Sequence, residues 1–216
     1  MATLTVLVDN EAEKPLKEAW GLSILVEIGN LKVLWDTGPD PKVLKYNASV
    51  LGKDLTVDYL VLSHRHWDHV GGISVVNYGK AIVPSDPLFP EVPRSEVNDK
   101  VTKLAPNVII TRPLKDFDIW EQGLVVIGEK RSALLVGCSH PGVTNIYKSV
   151  IEDIGMRPEV VIGGFHLYGL PRKEVERTLA KLKELGAKEI HPIHCSGNYA
   201  KQLAKVRTKA GSVLRL

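Results

Sequence analysis

The sequence predicts an α/β protein made of one domain: β-rich runs alternate with helical patterns over 216 residues, of which 44% are apolar and 25% charged. A chain of this length buries a sizeable core and lies within the single-domain range. No repeat, linker or low-complexity stretch interrupts the pattern. Several of the β-rich runs end at a histidine, and seven histidines occur in all.

The elements follow in order. Thr3 to Val8, Leu22 to Ile28 and Leu31 to Trp35 read as strands, and Gly29-Asn30 between the last two is a hairpin signal. Pro41 can open a short helix through Leu51, which Gly52 closes. Asp58 to Ser63 is an apolar run of buried-strand length. From residue 84 to 120 the pattern loosens around Pro84, Pro87, Pro90 and Pro93, with one strand expected at Val108 to Thr111. This stretch reads as a substrate-facing insertion, with an ordinary surface insertion as the alternative. Beyond it, Leu124 to Ile127 and Ala133 to Val136 are expected strands, followed by a helix over Val143 to Ile154 and a strand at Val160 to Ile162. Val175, Leu179, Leu182 and Leu185 line one face of a further helix that Gly186 stops. A strand at Glu189 to Ile193 and a helix near Tyr199 to Thr208 complete the series.

Composition limits the function classes. No apolar run reaches the roughly 18–20 residues of a membrane span. Met1-Ala2-Thr3-Leu4-Thr5 lacks the basic region and apolar stretch of a secretory signal, so a cytoplasmic protein with no membrane partner is expected. The 28 basic and 25 acidic residues form no like-charge block and no basic stripe interleaved with aromatics, so nucleic acid is not an expected partner. Two cysteines, Cys138 and Cys195, are too few for a disulfide framework and read as small packing residues, with thiolate ligation left open. Oligomeric state leaves no signal.

The chemistry lies in the histidines. His64, His66 and His69 fall within six residues that also hold Asp68. No packing rule demands that density. On an extended backbone His64 and His66 point the same way and can reach one cation, while Asp68 and His69 lie past the bend and can reach a second. Imidazole and carboxylate suit a zinc-like ion, and a catalytic site needs three protein ligands and an open place for water. His140, in Gly137-Cys138-Ser139-His140-Pro141-Gly142, and His194, in His194-Cys195-Ser196-Gly197, stand at further strand ends, where ligands of such sheets gather. His191 reads as a bystander. Ser196, Gly197 and Asn198 precede the last helix, whose free N–H groups favour an anion, and are the candidate contacts to a phosphorylated small-molecule substrate. Simple N-capping by Ser196 or Asn198 is the alternative.

The block from His64 to His69, followed by Val70-Gly71-Gly72, resembles the metal-binding motif of the metallo-β-lactamase superfamily, and Leu34-Trp35-Asp36-Thr37-Gly38 is similar to the strand and turn that precede it there. The resemblance covers nearly the whole chain and implies an αββα sandwich. Leu7-Val8-Asp9-Asn10, Trp20-Gly21-Leu22-Ser23 and Gly163-Gly164-Phe165-His166-Leu167 add a resemblance to one branch, which contains the archaeal dihydropterin–ribofuranosylaminobenzene phosphate synthase and many metal-dependent hydrolases.

The resemblance implies two divalent metals, zinc first, with iron or manganese as alternatives. His64, His66 and His140 would bind one, and Asp68, His69 and His194 the other. Asp36 would support the metal-binding loop without binding metal. His166 departs from the superfamily's usual bridging aspartate, and a neutral imidazole has one free lone pair and cannot bridge as a carboxylate does. Asp68 and His166 are the candidate catalytic residues. The implied activity is hydrolysis of an ester or phosphoester by metal-activated water, with pterin transfer of the synthase type as the alternative.

Overall fold

The computed structural model describes residues 1–216. The first half runs β1 (Ala2–Val8), β2 (Ser23–Ile28), β3 (Leu31–Trp35), α1 (Pro41–Val50), β4 (Thr56–Val61), α2 (Trp67–Val70), β5 (Asn77–Pro84), β6 (Ser95–Asn98), β7 (Thr102–Ala105) and β8 (Val108–Ile110). The second runs β9 (Leu114–Asp116), β10 (Ile119–Glu121), β11 (Leu124–Ile127), β12 (Ser132–Val136), α3 (Val143–Ile154), β13 (Val160–Gly164), α4 (Arg172–Leu185), β14 (Glu189–Ile193), α5 (Gly197–Ala204) and β15 (Val213–Arg215).

Two sheets result, one of seven strands in the order β15-β1-β2-β3-β4-β5-β6 and one of six in the order β14-β13-β12-β11-β8-β7. The period of two along each strand sorts the side chains between layers. In β12, Ala133 and Leu135 face the other sheet, whereas Leu134 and Val136 pack with Ile146, Tyr147 and Leu182 of α3 and α4. In β3, Val33 and Trp35 join the inter-sheet core, and Leu34 packs with Leu44 and Ala48 of α1. Helices therefore cover both outer faces, and the expected αββα sandwich is what forms. No helix is long and apolar enough to cross a membrane.

Residues 84–120 differ from expectation. They form five of the strands, with β6 extending the first sheet, β7 and β8 extending the second, and β9 and β10 making a separate hairpin. The stretch carries the crossover between the two sheets. Its strands are only three or four residues long, too short to show a period of two among prolines.

The parallel strands matter most for the site. β3 and β4 run parallel in one sheet, and β12, β13 and β14 run parallel in the other. Their carboxyl ends open toward one edge of the sandwich, the place where α/β sheets gather ligands.

Candidate metal centre

Four residues just beyond these strands adopt left-handed backbone conformations that non-glycine residues rarely take: Asp36 (φ 55°), Ser139 (φ 62°), His166 (φ 52°) and His194 (φ 52°). Such backbone persists only where the surroundings over-determine it, and it clusters at working sites. Each turn aims a side chain into the same region.

The first turn is clamped from below. Thr37 donates from its backbone N–H and from its hydroxyl to the His69 carbonyl, at 2.7 and 2.9 Å, fixing the four-residue α2. Arg65 faces the other way, its guanidinium bonded to Asp86 at 2.6 Å and to Asp118 at 2.7 Å. These anchors hold His64 and His66 on one side and Asp68 and His69 on the next.

Two groups of donor atoms follow, His64 with His66 and His140, and Asp68 with His69, His194 and Cys138, the atoms of each lying within 4.8 Å of one another. All six residues expected to bind metal are thus brought together in the expected threes. Cys138, read as a packing residue, joins the second group. His191 stays outside, buried in β14 with its Nδ1 2.7 Å from the Thr208 hydroxyl.

The hydrogen bonds dictate where the imidazole lone pairs lie. Ser63 Oγ donates its one proton to Asp36 Oδ2 at 2.7 Å, so it accepts from His64 Nδ1 at 2.9 Å. His64 Nε2 is then a bare acceptor, and it lies 3.1 Å from His66 Nδ1. Asp36 Oδ2 also accepts from His69 Nδ1 at 2.7 Å, which turns His69 Nε2 toward the second group. Asn10 Oδ1 accepts from His194 Nδ1 at 3.0 Å, leaving His194 Nε2 with a lone pair 3.2 Å from Asp68 Oδ2. His140 Nε2 is buried with no partner at all.

Acceptors converging on acceptors, with one orphaned nitrogen among them, fit a cation between them. Tetrahedral ligands at about 2.0–2.3 Å stand roughly 3.3–3.7 Å apart, close to the spacings found here.

Protonation follows the same division. Burial pushes His64 well below its ordinary value, burial and the neighbouring His166 and His66 push His140 down to about 3, and burial pushes His194 down to about 4. These are neutral donors. Burial works against the charge on His69, yet Asp36 raises it to about 9; burial likewise works against Asp68, yet the neighbouring His194 and the charge of His69 hold it at about 2. The second group therefore favours a positive charge at its centre, which a proton on His69 supplies until a metal displaces it.

Glu121 completes the floor. Its carboxylate accepts the backbone N–H groups of Cys138, Ser139 and His140 at 2.8, 2.7 and 2.8 Å, and burial raises its pKa to about 6. Gly137 lets this loop approach, because a Cβ there would lie 2.1 Å from Ser63 Oγ. Glu121, Ser63 and Asn10 were not legible as site residues: Glu121 and Asn10 are distant in sequence from the histidines they serve, and Ser63, though next to His64, is of common type.

The centre opens into a cavity of about 330 Å³ walled by His166, Trp20, Trp67 and Tyr168. His166 is exposed, its ring 4.6 Å from that of His140. The expected anion site is not part of this cavity. The Ser196 hydroxyl is fully buried and bonded to the Ile193 carbonyl and the Phe165 N–H. Gly197 packs against the backbone of Tyr168, and Asn198 lines a separate groove. These bonds hold the Ser196 hydroxyl, while Asn198 is exposed at the start of α5.

Comparison with known proteins agrees with this geometry. Residues 21–191 match the model of the metallo-beta-lactamase superfamily. The protein MJ0448 of Methanocaldococcus jannaschii is 29% identical, with 90% of each chain covered. The 7,8-dihydropterin-6-methyl-4-(beta-D-ribofuranosyl)-aminobenzene-5'-phosphate synthase of the same organism is 25% identical over 88% of this chain and 85% of its own. Among solved structures, Tm1679, a metal-dependent hydrolase of the beta-lactamase superfamily, aligns with TM-score 0.86 and 26% identity over 100% of this chain and 99% of its own. Members of the superfamily bind divalent metals. By motif, fold and donor geometry alike, this chain belongs to the metallo-β-lactamase superfamily.

Proposed function

We propose that the chain acts as a single-domain, cytoplasmic metal-dependent hydrolase of an ester or phosphoester, holding two divalent ions, zinc first, on His64, His66 and His140 and on Asp68, His69 and His194. The observation that carries this reading is the convergence of lone pairs from two donor groups beside an open cavity, with His140 Nε2 left unpartnered. Ions bound there supply a water of lowered pKa and neutralise charge on a carbonyl or phosphoryl oxygen. The chain does the rest. Asp68, held ionised, would orient the attacking water by accepting a hydrogen bond from it. Asp36, Ser63 and Asn10 keep the imidazoles in the required tautomers. His166, at the open side, gives a proton to the leaving group.

A second reading is transfer of a pterin group. Trp20, Trp67 and Tyr168 are 47%, 63% and 71% exposed, and such a rim suits a flat heterocycle. The likeness to the archaeal synthase supports the same reading. The test is metal analysis with an activity screen over phosphoesters, lactones, thioesters and a dihydropterin pyrophosphate. Turnover with water alone is expected. Pyrophosphate release that requires an arene or amine acceptor would establish transfer instead, and full activity without metal would end both readings.

A further inference from the structure

We propose that Cys138 is itself a metal ligand, its thiolate binding the second ion together with Asp68, His69 and His194. The inference deepens the metal-dependent reading and rests on it.

The charge balance of the site motivates the proposal. Two divalent ions bring four positive charges, and a usual bridging carboxylate would offset one of them. The residue at that place is His166, exposed and uncharged as a donor. Of the other buried carboxylates nearby, Asp36 is committed to Ser63 and His69 and Glu121 to three backbone N–H groups, and Asp9, bonded to the His194 backbone N–H, belongs to neither donor group. Asp68 is then the one anionic oxygen donor in either group. A thiolate at Cys138 supplies the second negative charge.

Geometry places the sulfur for it. Cys138 Sγ lies 3.2 Å from His69 Nε2, the nitrogen whose lone pair points into the second group. The backbone at Cys138 is held by Glu121, so the side chain is aimed rather than free. Cys138 is 4% exposed and lines the cavity beside His140 and His194. Its neighbour Cys195 makes a useful contrast: also 4% exposed, it directs its thiol to the Cys138 carbonyl at 3.7 Å.

Coordination replaces the S–H bond by a sulfur–metal bond and releases the proton to solvent. The two positions then differ in kind. Three neutral imidazoles make the first, whereas two imidazoles, a carboxylate and a soft thiolate make the second, which selects zinc, ferrous iron or cobalt over manganese or magnesium.

Cobalt reports on this directly, because a cobalt-bound thiolate gives an intense charge-transfer band in the near ultraviolet. Metal-stripped full-length protein is titrated with cobalt, following the band and the equivalents bound. Wild type and Cys195→Ser are expected to bind two equivalents, with the band growing in for one of them. Cys138→Ala and Cys138→Ser are expected to lose the band and to bind the second equivalent more than about 100-fold more weakly, since even partners behind a ligand are worth 10–100-fold. Wild type that binds two equivalents without the band overturns the proposal, even if neither Cys138 variant folds. So does a band that survives in Cys138→Ser or vanishes in Cys195→Ser. Wild type that binds no cobalt at all overturns the metal-dependent reading together with it.

Discussion

At the scale of single residues, the site separates histidines by the state of their lone pairs. His66→Ala or His140→Ala is expected to lose one metal equivalent and activity, whereas His191→Ala keeps its metal, read by elemental analysis. His166→Ala is expected to retain both ions and lose turnover by about 10²–10⁴-fold, the usual worth of general acid–base help. Loss of a whole equivalent from His166→Ala, with activity recovered in excess metal, would make His166 a ligand. His191 titrates for a different reason. Burial lowers its pKa below the ordinary 6.5, although Glu189 opposes this at 3.3 Å, so folding favours the neutral ring. Its contribution is present above pH 6.5 and lost as pH falls below it, because the unfolded chain then takes up the proton more readily. His191→Asn should therefore lose less melting temperature than wild type between about pH 7.5 and 5.5. Parallel melting curves would show that His191 carries no such linkage.

At the scale of elements, the loop from β12 to α3 is built around one carboxylate. Glu121 Oε1 accepts from Cys138 and Ser139, and Oε2 from His140. In Glu121→Gln the amide can offer an oxygen to one side only, and the other N–H then faces another donor. An unsatisfied buried group costs about 1–3 kcal/mol, and displaced support behind a ligand costs about 10–100-fold in metal affinity. Metal titration and thermal melting check this; unchanged affinity in Glu121→Gln would mean that the loop holds its shape without the carboxylate. The same scale explains what was missed between residues 84 and 120. Strands such as β8 and β10 span three residues, and they are strands because partners pair with them, β11 and β7 with β8 and β9 with β10.

At the scale of the whole molecule, the donor groups tie the two sheets together: His64 and His69 leave the first, His140 and His194 the second. An ion bound across that seam stabilises the folded state alone. At a concentration 100 times its Kd one ion adds about 2.7 kcal/mol, and at about 2–4 °C per kcal/mol chelation is expected to lower the melting temperature by roughly 5–10 °C. Re-addition of zinc should restore it. A melting temperature indifferent to chelator would show that the seam holds without metal.

What the sequence alone determined is what local pattern encodes. The β2–β3 hairpin at Gly29-Asn30, the helix over Val143–Ile154 and the strand at Glu189–Ile193 were readable from alternation, turn residues and helical spacing. His64, His66, Asp68 and His69 were readable because their density within six residues has no packing cause. Only the tertiary structure decided the partners. Asn10 meets His194 across 184 positions, Cys138 meets His69 across 69, and Glu121 meets a loop some 17 to 19 residues on. Nothing in a residue's neighbours specifies such contacts, because they arise where separate strands end at a common edge. The same geometry engages the Ser196 hydroxyl with β14 and buries it, and sets Asn198 against a separate groove, neither of which a helix start read from sequence reveals.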